Sequence, residues 1–276
     1  MSAAATAAGA ARIAEAFSSS GKRAALMPYL MGGYPDVAAS LQVGQAFVEA
    51  GADLIELGVP FSDPLADGPV IQSAGQLALE AGATFERVVS EVAAPLGKRV
   101  PVALMCYANP ILTRGFEETA RRLAAAGVAG LIVPDLPVDE ASELRDACDR
   151  GGIALIPLVA PTTPADRLEA IARAARGFIY VVSVTGVTGE RSELPPGLRD
   201  VVARVREAAA VPVAVGFGVA TPEQVAQVGE IADGVIVGSR LVRAIDDAGS
   251  LDQGLAGASA FLKQAATLLR HESRRA

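Results

Sequence analysis

A (β/α)8 barrel, the TIM-barrel architecture, is the fold this sequence predicts, and three observations predict it. Eight short apolar runs recur along the 276 residues, each followed by a segment of helical character. The runs are continuously apolar rather than alternating, as parallel strands buried on both faces must be. No Gly-x-Gly-x-x-Gly turn follows the first run, although the competing doubly wound open sheet would more often carry one. A chain that is 51% hydrophobic supplies one large core, and barrels of this length commonly form one domain. Residues 1–276 are therefore read as a single barrel domain, with 1–10 as a disordered Ala-rich extension.

Ala11–Ser20 reads as a short leading helix and Ala24–Met31 as the first strand. Gly32-Gly33-Tyr34-Pro35-Asp36 is a turn that delivers Asp36 to a helix N-terminus, and that helix ends near Ala50 with Gly51 suited to a left-handed cap. The second strand begins near Ala52. Two helical segments between Pro69 and Leu96 are broken at Ala81-Gly82-Ala83-Thr84. Strands follow near Val100–Tyr107, Gly130–Val133, Ile153–Val159, Phe178–Ser183, Val211–Gly216 and Gly234–Val237. Helices near 116–126, 139–150, 164–175, 197–209 and 222–229 alternate with them, and a last helix runs over Leu251–Arg270.

Composition narrows the chemistry. A net charge of −7 argues against nucleic acid or an anionic membrane as partner, and no apolar run approaches a membrane span. The N-terminus lacks the basic start of a secretory signal, and Cys106 and Cys148 read as free thiols of a reducing cytosol, so a cytoplasmic protein is expected. The only histidine is His271 in the charged tail, which leaves no Ser/His/Asp triad and no His-based metal site. Lys22, Lys98 and Lys263 lie before strands or in the last helix, away from any position for a Schiff base. Acid–base work falls to carboxylates and tyrosines.

The stretch Ala52–Pro69 holds two such carboxylates. Glu56 lies inside the apolar strand, where an ionisable group is costly unless paired or placed for chemistry. Asp67 follows on a loop stiffened by prolines. Settings so different separate the two pKa values and suggest an acid–base pair. A lumen ion pair for Glu56 and a helix cap for Asp67 fit the same residues.

In this architecture the chemistry sits at the C-terminal strand ends. The sixth strand leads into Ser183–Arg191, the seventh ends in Gly216-Phe217-Gly218 and the eighth in Val237-Gly238-Ser239, before a short extra helix over Arg240–Asp246. Glycines at these ends let backbone N–H groups approach an anion, and a helix N-terminus at Ser239 adds its dipole. Tight βα turns would use the same glycines. Tyr29, Met105, Tyr107, Tyr180 and Phe217 collect at the same rim, as core or as walls for a flat ligand. Parity puts Leu54 in the lumen with Glu56, and Ile55 and Leu57 toward the helices.

The run Glu56-Leu57-Gly58-Val59-Pro60-Phe61-Ser62-Asp63-Pro64-Leu65-Ala66-Asp67-Gly68-Pro69 closely resembles the signature of the tryptophan synthase α-chain family. The resemblance extends over roughly residues 20–270, through Val133-Pro134-Asp135-Leu136-Pro137, Ser183–Gly189, Gly216-Phe217-Gly218 and Gly238-Ser239. Leu30-Met31-Gly32-Gly33 departs from it, where a Thr-Ala pair is more usual. The resemblance implies retro-aldol cleavage of indole-3-glycerol phosphate to indole and glyceraldehyde 3-phosphate, with no metal or coenzyme on this chain. It implies Glu56 as the acid/base and Asp67 as the partner of the indole N–H. Tyr29, Met105, Tyr180, Thr188 and Phe217 would contact the substrate, with Thr188 closing over Asp67. Gly189, Gly218, Gly238 and Ser239 would hold phosphate. It also implies a pyridoxal-phosphate-dependent β chain in an α2β2 complex, docking on Pro60–Asp63, Asn109-Pro110 and Pro134–Pro137. A subunit that mainly activates its partner, and a sugar-phosphate isomerase barrel, are the alternatives.

Overall fold

The computed structural model describes residues 8–182, 196–216 and 218–270. In chain order its strands are β1 Ala25–Met31, β2 Ile55–Gly58, β3 Val102–Met105, β4 Gly130–Ile132, β5 Ala154–Ile156, β6 Leu158–Val159, β7 Ile179–Val182, β8 Val213–Gly216 and β9 Gly234–Val237. All pair in parallel, in the order β5-β4-β3-β2-β1-β9-β8-β7-β6. The sequence predicts eight staves. The ninth segment arises at Pro157, whose ring nitrogen has no N–H to give to a ladder. Below it β5 pairs with β4, and above it β6 pairs with β7, so the fifth stave bridges the two ends of the sheet. The first stave divides its pairing in a similar way: Ala25–Pro28 face β9 and Tyr29–Met31 face β2.

Helices fall close to their expected positions. Asp36 caps Val37–Glu49 by accepting the Ala39 N–H at 2.8 Å. The expected break at Ala81–Thr84 is present, and beyond it Phe85–Arg87, Val88–Ala93 and Ala94–Leu96 run on as one helix whose middle has π geometry. Ser239–Asp246 is the short extra helix, and Leu251–Leu269 is the last. A helix over Ala108–Arg114, directly after Tyr107, is additional to the sequence reading. From Ala8 the chain is already helical, over Ala8–Ser18, so the expected extension lies in part outside the described residues.

Parity along β2 is as expected. Leu54 packs inside the barrel with Ala25, Met27, Ala103, Ala129, Ile132, Ala154, Ile156 and Phe178, while Ile55 and Leu57 pack outward against the helices. Alternating Ala with larger residues lets the inner layer interdigitate. The leading helix closes the lower end: Ile13 is fully buried in the lumen cluster, and Phe17 lies 5.7 Å from the Phe178 ring. Arg12 fixes this plug by donating to the carbonyls of Gly97 at 2.6 Å and Gly127 at 2.7 Å. At the same end Asp53 accepts from the Leu26 N–H and Lys22 Nζ, each at 2.7 Å, and Asp233 accepts from the Val213 N–H at 2.8 Å. Charge at this end sets strand starts. The opposite end is left for chemistry.

Truncating the plug tests this division. Ile13→Ala is expected to cost about 2–4 kcal/mol of stability in denaturant unfolding. A loss below about 1 kcal/mol would show that the lumen floor does not depend on that side chain.

Candidate active site

Glu56 is 1% exposed, and among the described residues its Oε2 has no hydrogen-bond partner. Among the described residues no cation is paired with it, so the lumen ion pair allowed by the sequence is not formed there. Burial, and secondarily the charge of Asp67, push its carboxyl up to about 8, which keeps it protonated at neutral pH. The strand dictates this. Its register partners are Tyr29 on β1 and Ala103 on β3, neither of which brings a charge.

Asp67 lies on the loop between β2 and the helix Pro69–Glu80. Gly68, not Asp67, is the N-cap of that helix, so the capping alternative fails as well. Burial raises the Asp67 carboxyl to about 6, an effect opposed by the Tyr107 hydroxyl. Asp67 therefore ionises well before Glu56. Glu56 and Asp67 line the same cavity, of about 580 Å³. The environment thus supplies one acid and one base in a single chamber.

Tyr29, Met105 and Tyr180 also line this cavity, with Gly218, Gly238 and Ser239 at its far rim. Both tyrosines lean across a neighbouring stave over a glycine. A Cβ on Gly58 would lie 2.2 Å from the Tyr29 hydroxyl, and one on Gly216 would lie 2.4 Å from that of Tyr180. Those two glycines are required by side-chain packing. Gly238 differs: a Cβ there would meet nothing closer than Tyr29 Cβ at 3.7 Å, on the open side of the chamber. Ser239 begins its helix, whose first N–H groups have no intrahelical partner and suit an anion. Tyr34 anchors the other end of this helix by donating to Asp246 Oδ1 at 2.5 Å. Thr188, Gly189 and Phe217 lie outside the described residues.

The structure adds Tyr107 to the site. Its hydroxyl accepts the Ala66 N–H at 3.0 Å, and its ring stacks on Phe61 at 5.1 Å. Its place among the rim aromatics, directly after β3, was the available signal. Ile71, the Val133–Val138 segment and Ala160 complete much of the wall, and apart from Asp135 nothing in their apolar types distinguishes them from core.

Chemically, this arrangement can place a proton on a ligand and stabilise the cation that forms, with an anionic tail held opposite. The class so defined is an acid–base enzyme of the barrel type. A family model described as "Tryptophan synthase alpha chain" matches residues 16–269. The α chain of Carboxydothermus hydrogenoformans is 50% identical over 239 residues, 86% of this chain and 90% of that one. The α chain of Chloroflexus aurantiacus is 46% identical over 257 residues, 92% and 96% of the two chains. Among solved structures, tryptophan synthase of Mycobacterium tuberculosis superposes with a TM-score of 0.86 at 41% identity, covering 95% of this chain and 99% of that one. The α subunit of Legionella pneumophila gives 0.85 at 34% identity, covering 94% and 98%. The chain belongs to the tryptophan synthase α-chain family. It is a lyase subunit that cleaves indole-3-glycerol phosphate in tryptophan biosynthesis, as part of a complex with a β chain.

The buried acid carries a stability signature. Its folded-state pKa lies above the unfolded value, so its contribution is most favourable at acid pH and declines as pH rises from about 4.5 to about 8. Glu56→Gln is expected to match the parent near pH 5 and to exceed it at pH 8 by a few kcal/mol, on the order of one pKa unit per 1.36 kcal/mol. Thermal unfolding at the two pH values reads this out, and equal gaps at both would mean that Glu56 is not held neutral by folding.

Proposed function

We propose that Glu56 and Asp67 are the catalytic pair of indole-3-glycerol phosphate cleavage in this chain. The observation that carries the reading is a buried Glu56, whose Oε2 has no hydrogen-bond partner among the described residues, sharing a chamber with a carboxylate of lower pKa. Protonated Glu56 gives its proton to indole C3, and the ring becomes an indolenine-like cation. Asp67, ionised, accepts the ring N–H and stabilises that charge. The bond from C3 to the glycerol carbon then breaks, and its electron pair returns to the ring. The glycerol hydroxyl becomes the aldehyde and gives its proton to the Glu56 carboxylate, which restores the acid. No net proton is consumed.

Tyr29, Met105 and Tyr180 flank the indole ring, with Phe217 as a further wall. Gly218, Gly238 and Ser239 hold the phosphate through main-chain N–H groups; the family resemblance gives Gly189 the same role and Thr188 that of a cover over Asp67, both outside the described residues. The chain works without a coenzyme of its own, pyridoxal phosphate belonging to the β chain. Of its lysines, Lys22 is held by Asp53 at the far end of the barrel. The partner face comprises Pro60–Asp63, Asn109-Pro110 and Pro134–Pro137. Leu65, 91% exposed, and Leu112, 58% exposed, lie beside the first two of these stretches in the chain. We read the assembly as α2β2, the location as cytoplasmic and residues 1–276 as one barrel domain. No helix among the described residues is long and apolar enough to cross a membrane.

Purified chain with indole-3-glycerol phosphate, followed by indole release with and without β chain, tests the assignment. Glu56→Gln is expected to slow release by about 10²–10⁴-fold. Turnover close to the parent's would remove Glu56 from the mechanism. In the parent, kcat/KM is expected to rise with pH as Asp67 ionises near 6 and to fall as Glu56 loses its proton near 8, giving a bell whose limbs belong to the coupled pair. A flat profile from pH 5 to 9 would contradict it. Gly238→Ala, which the packing tolerates, is expected to raise KM for the phosphorylated substrate while leaving thermal stability near the parent's. An unchanged KM would move the phosphate elsewhere.

A further inference from the structure

We propose that Tyr107 is a positioning residue that fixes Asp67 and ties it to the exposed tip of the same loop. The proposal rests on the reading of Asp67 as the carboxylate that holds the ring N–H. Tyr107 is rooted in the rigid end of the barrel: the preceding Cys106 N–H donates to the Ile132 carbonyl at 3.0 Å, and the following Ala108 N–H donates to Asp135 Oδ1 at 2.8 Å. From there it grips the loop twice. The hydroxyl accepts the Ala66 N–H at 3.0 Å, and the ring stacks on Phe61 with centroids 5.1 Å apart and planes at 26°. With its oxygen accepting from Ala66, the hydroxyl still has its proton to give, and its interaction with the carboxyl of Asp67, the next residue, opposes the upward shift that burial imposes there.

From the other side Gln72 Nε2 donates to the Asp67 carbonyl at 2.9 Å and the Pro64 carbonyl at 3.3 Å, and the Asp67 N–H donates to Pro64 at 3.1 Å. These bonds hold the backbone of the turn. Tyr107 adds a proton donor toward the carboxyl and an aromatic contact that reaches the loop's outer part. Leu65, nearly fully exposed, lies between those two anchor points. A displacement of the tip therefore bears on Asp67 through the Tyr107 side chain as well as along the backbone.

The titratable groups acting on this pair, among the described residues, are Glu56 on β2, Tyr29 on β1, Tyr180 on β7 and Asp135 after β4. Tyr107→Phe keeps the ring and removes the donor. Because that donor favours the ionised carboxyl, its loss raises the Asp67 pKa and moves the acid limb of kcat/KM to higher pH.

The experiment compares the full chain with Tyr107→Phe and Asp67→Asn over pH 5–9, following indole release, with 13C carboxyl titration of the Asp67 resonance and thermal unfolding as controls of fold. Tyr107→Phe is expected to lose about ten- to a hundredfold in kcat/KM near pH 6, the scale of a hydrogen bond to a charged group, and to recover part of it near pH 8. Its Asp67 resonance titrates at higher pH than the parent's. A purely structural residue would lower activity uniformly and leave both titrations in place, and that result overturns the proposal. An Asp67→Asn variant that is inactive beside an unaltered Tyr107→Phe overturns the role of Tyr107 alone. An active Asp67→Asn overturns the reading of Asp67 and, with it, this one.

Discussion

The site depends on one buried proton. A carboxylic acid in an apolar lumen with no cation beside it stays neutral, because ionisation there costs more than neutral water can offset. Every neighbouring choice preserves that state. Ala103 and Tyr29 flank Glu56 across the sheet without charge, and the second carboxylate is kept on a loop where it ionises first. A lysine or arginine beside Glu56 would make the barrel more comfortable and leave it without an acid. Among the described residues the geometry leaves one oxygen of this acid unsatisfied, a local conflict of the kind functional sites carry.

Around that proton the barrel separates tasks by height and by side. At the lower end Lys22 with Asp53, Arg12 on two carbonyls, and the Ile13 plug determine where strands begin. Above them lies a layer of Ala and branched side chains, and above that the chamber. Tyrosines reach into the chamber only because glycines on adjacent staves leave room for their hydroxyl ends. The same residue type serves different ends at Gly58 and Gly216, where it admits a side chain, and at Gly238, where it faces open space.

Much of this was legible in the chain. Continuous apolar runs gave the strand set, parity along Leu54–Leu57 gave the direction of Glu56, and Asp36 gave a cap that forms as read. A carboxylate inside an apolar run is visible without coordinates, as are glycines at successive strand ends. Less legible was whatever depends on distant partners. That Pro157 would split one stave follows from hydrogen bonds to two different neighbours, which a single run cannot display. Tyr107 was one aromatic among several until its hydroxyl met Ala66 and its ring met Phe61. The apolar lining of the chamber is chemically the same as core, and only the shape of the space distinguishes it.

The two prolines in the barrel wall have a mechanical meaning. At Pro28 and at Pro157 the pairing changes neighbour, so the ring consists of two arcs, one from the upper part of β1 to β5 and one from β6 to the lower part of β1. Glu56 and the Asp67 loop ride on the first arc; Tyr180, Gly216, Gly238 and Ser239 ride on the second. A molecule lying from the acid to the glycine rim therefore spans both seams. Such a molecule would be a crossbeam between the two shells.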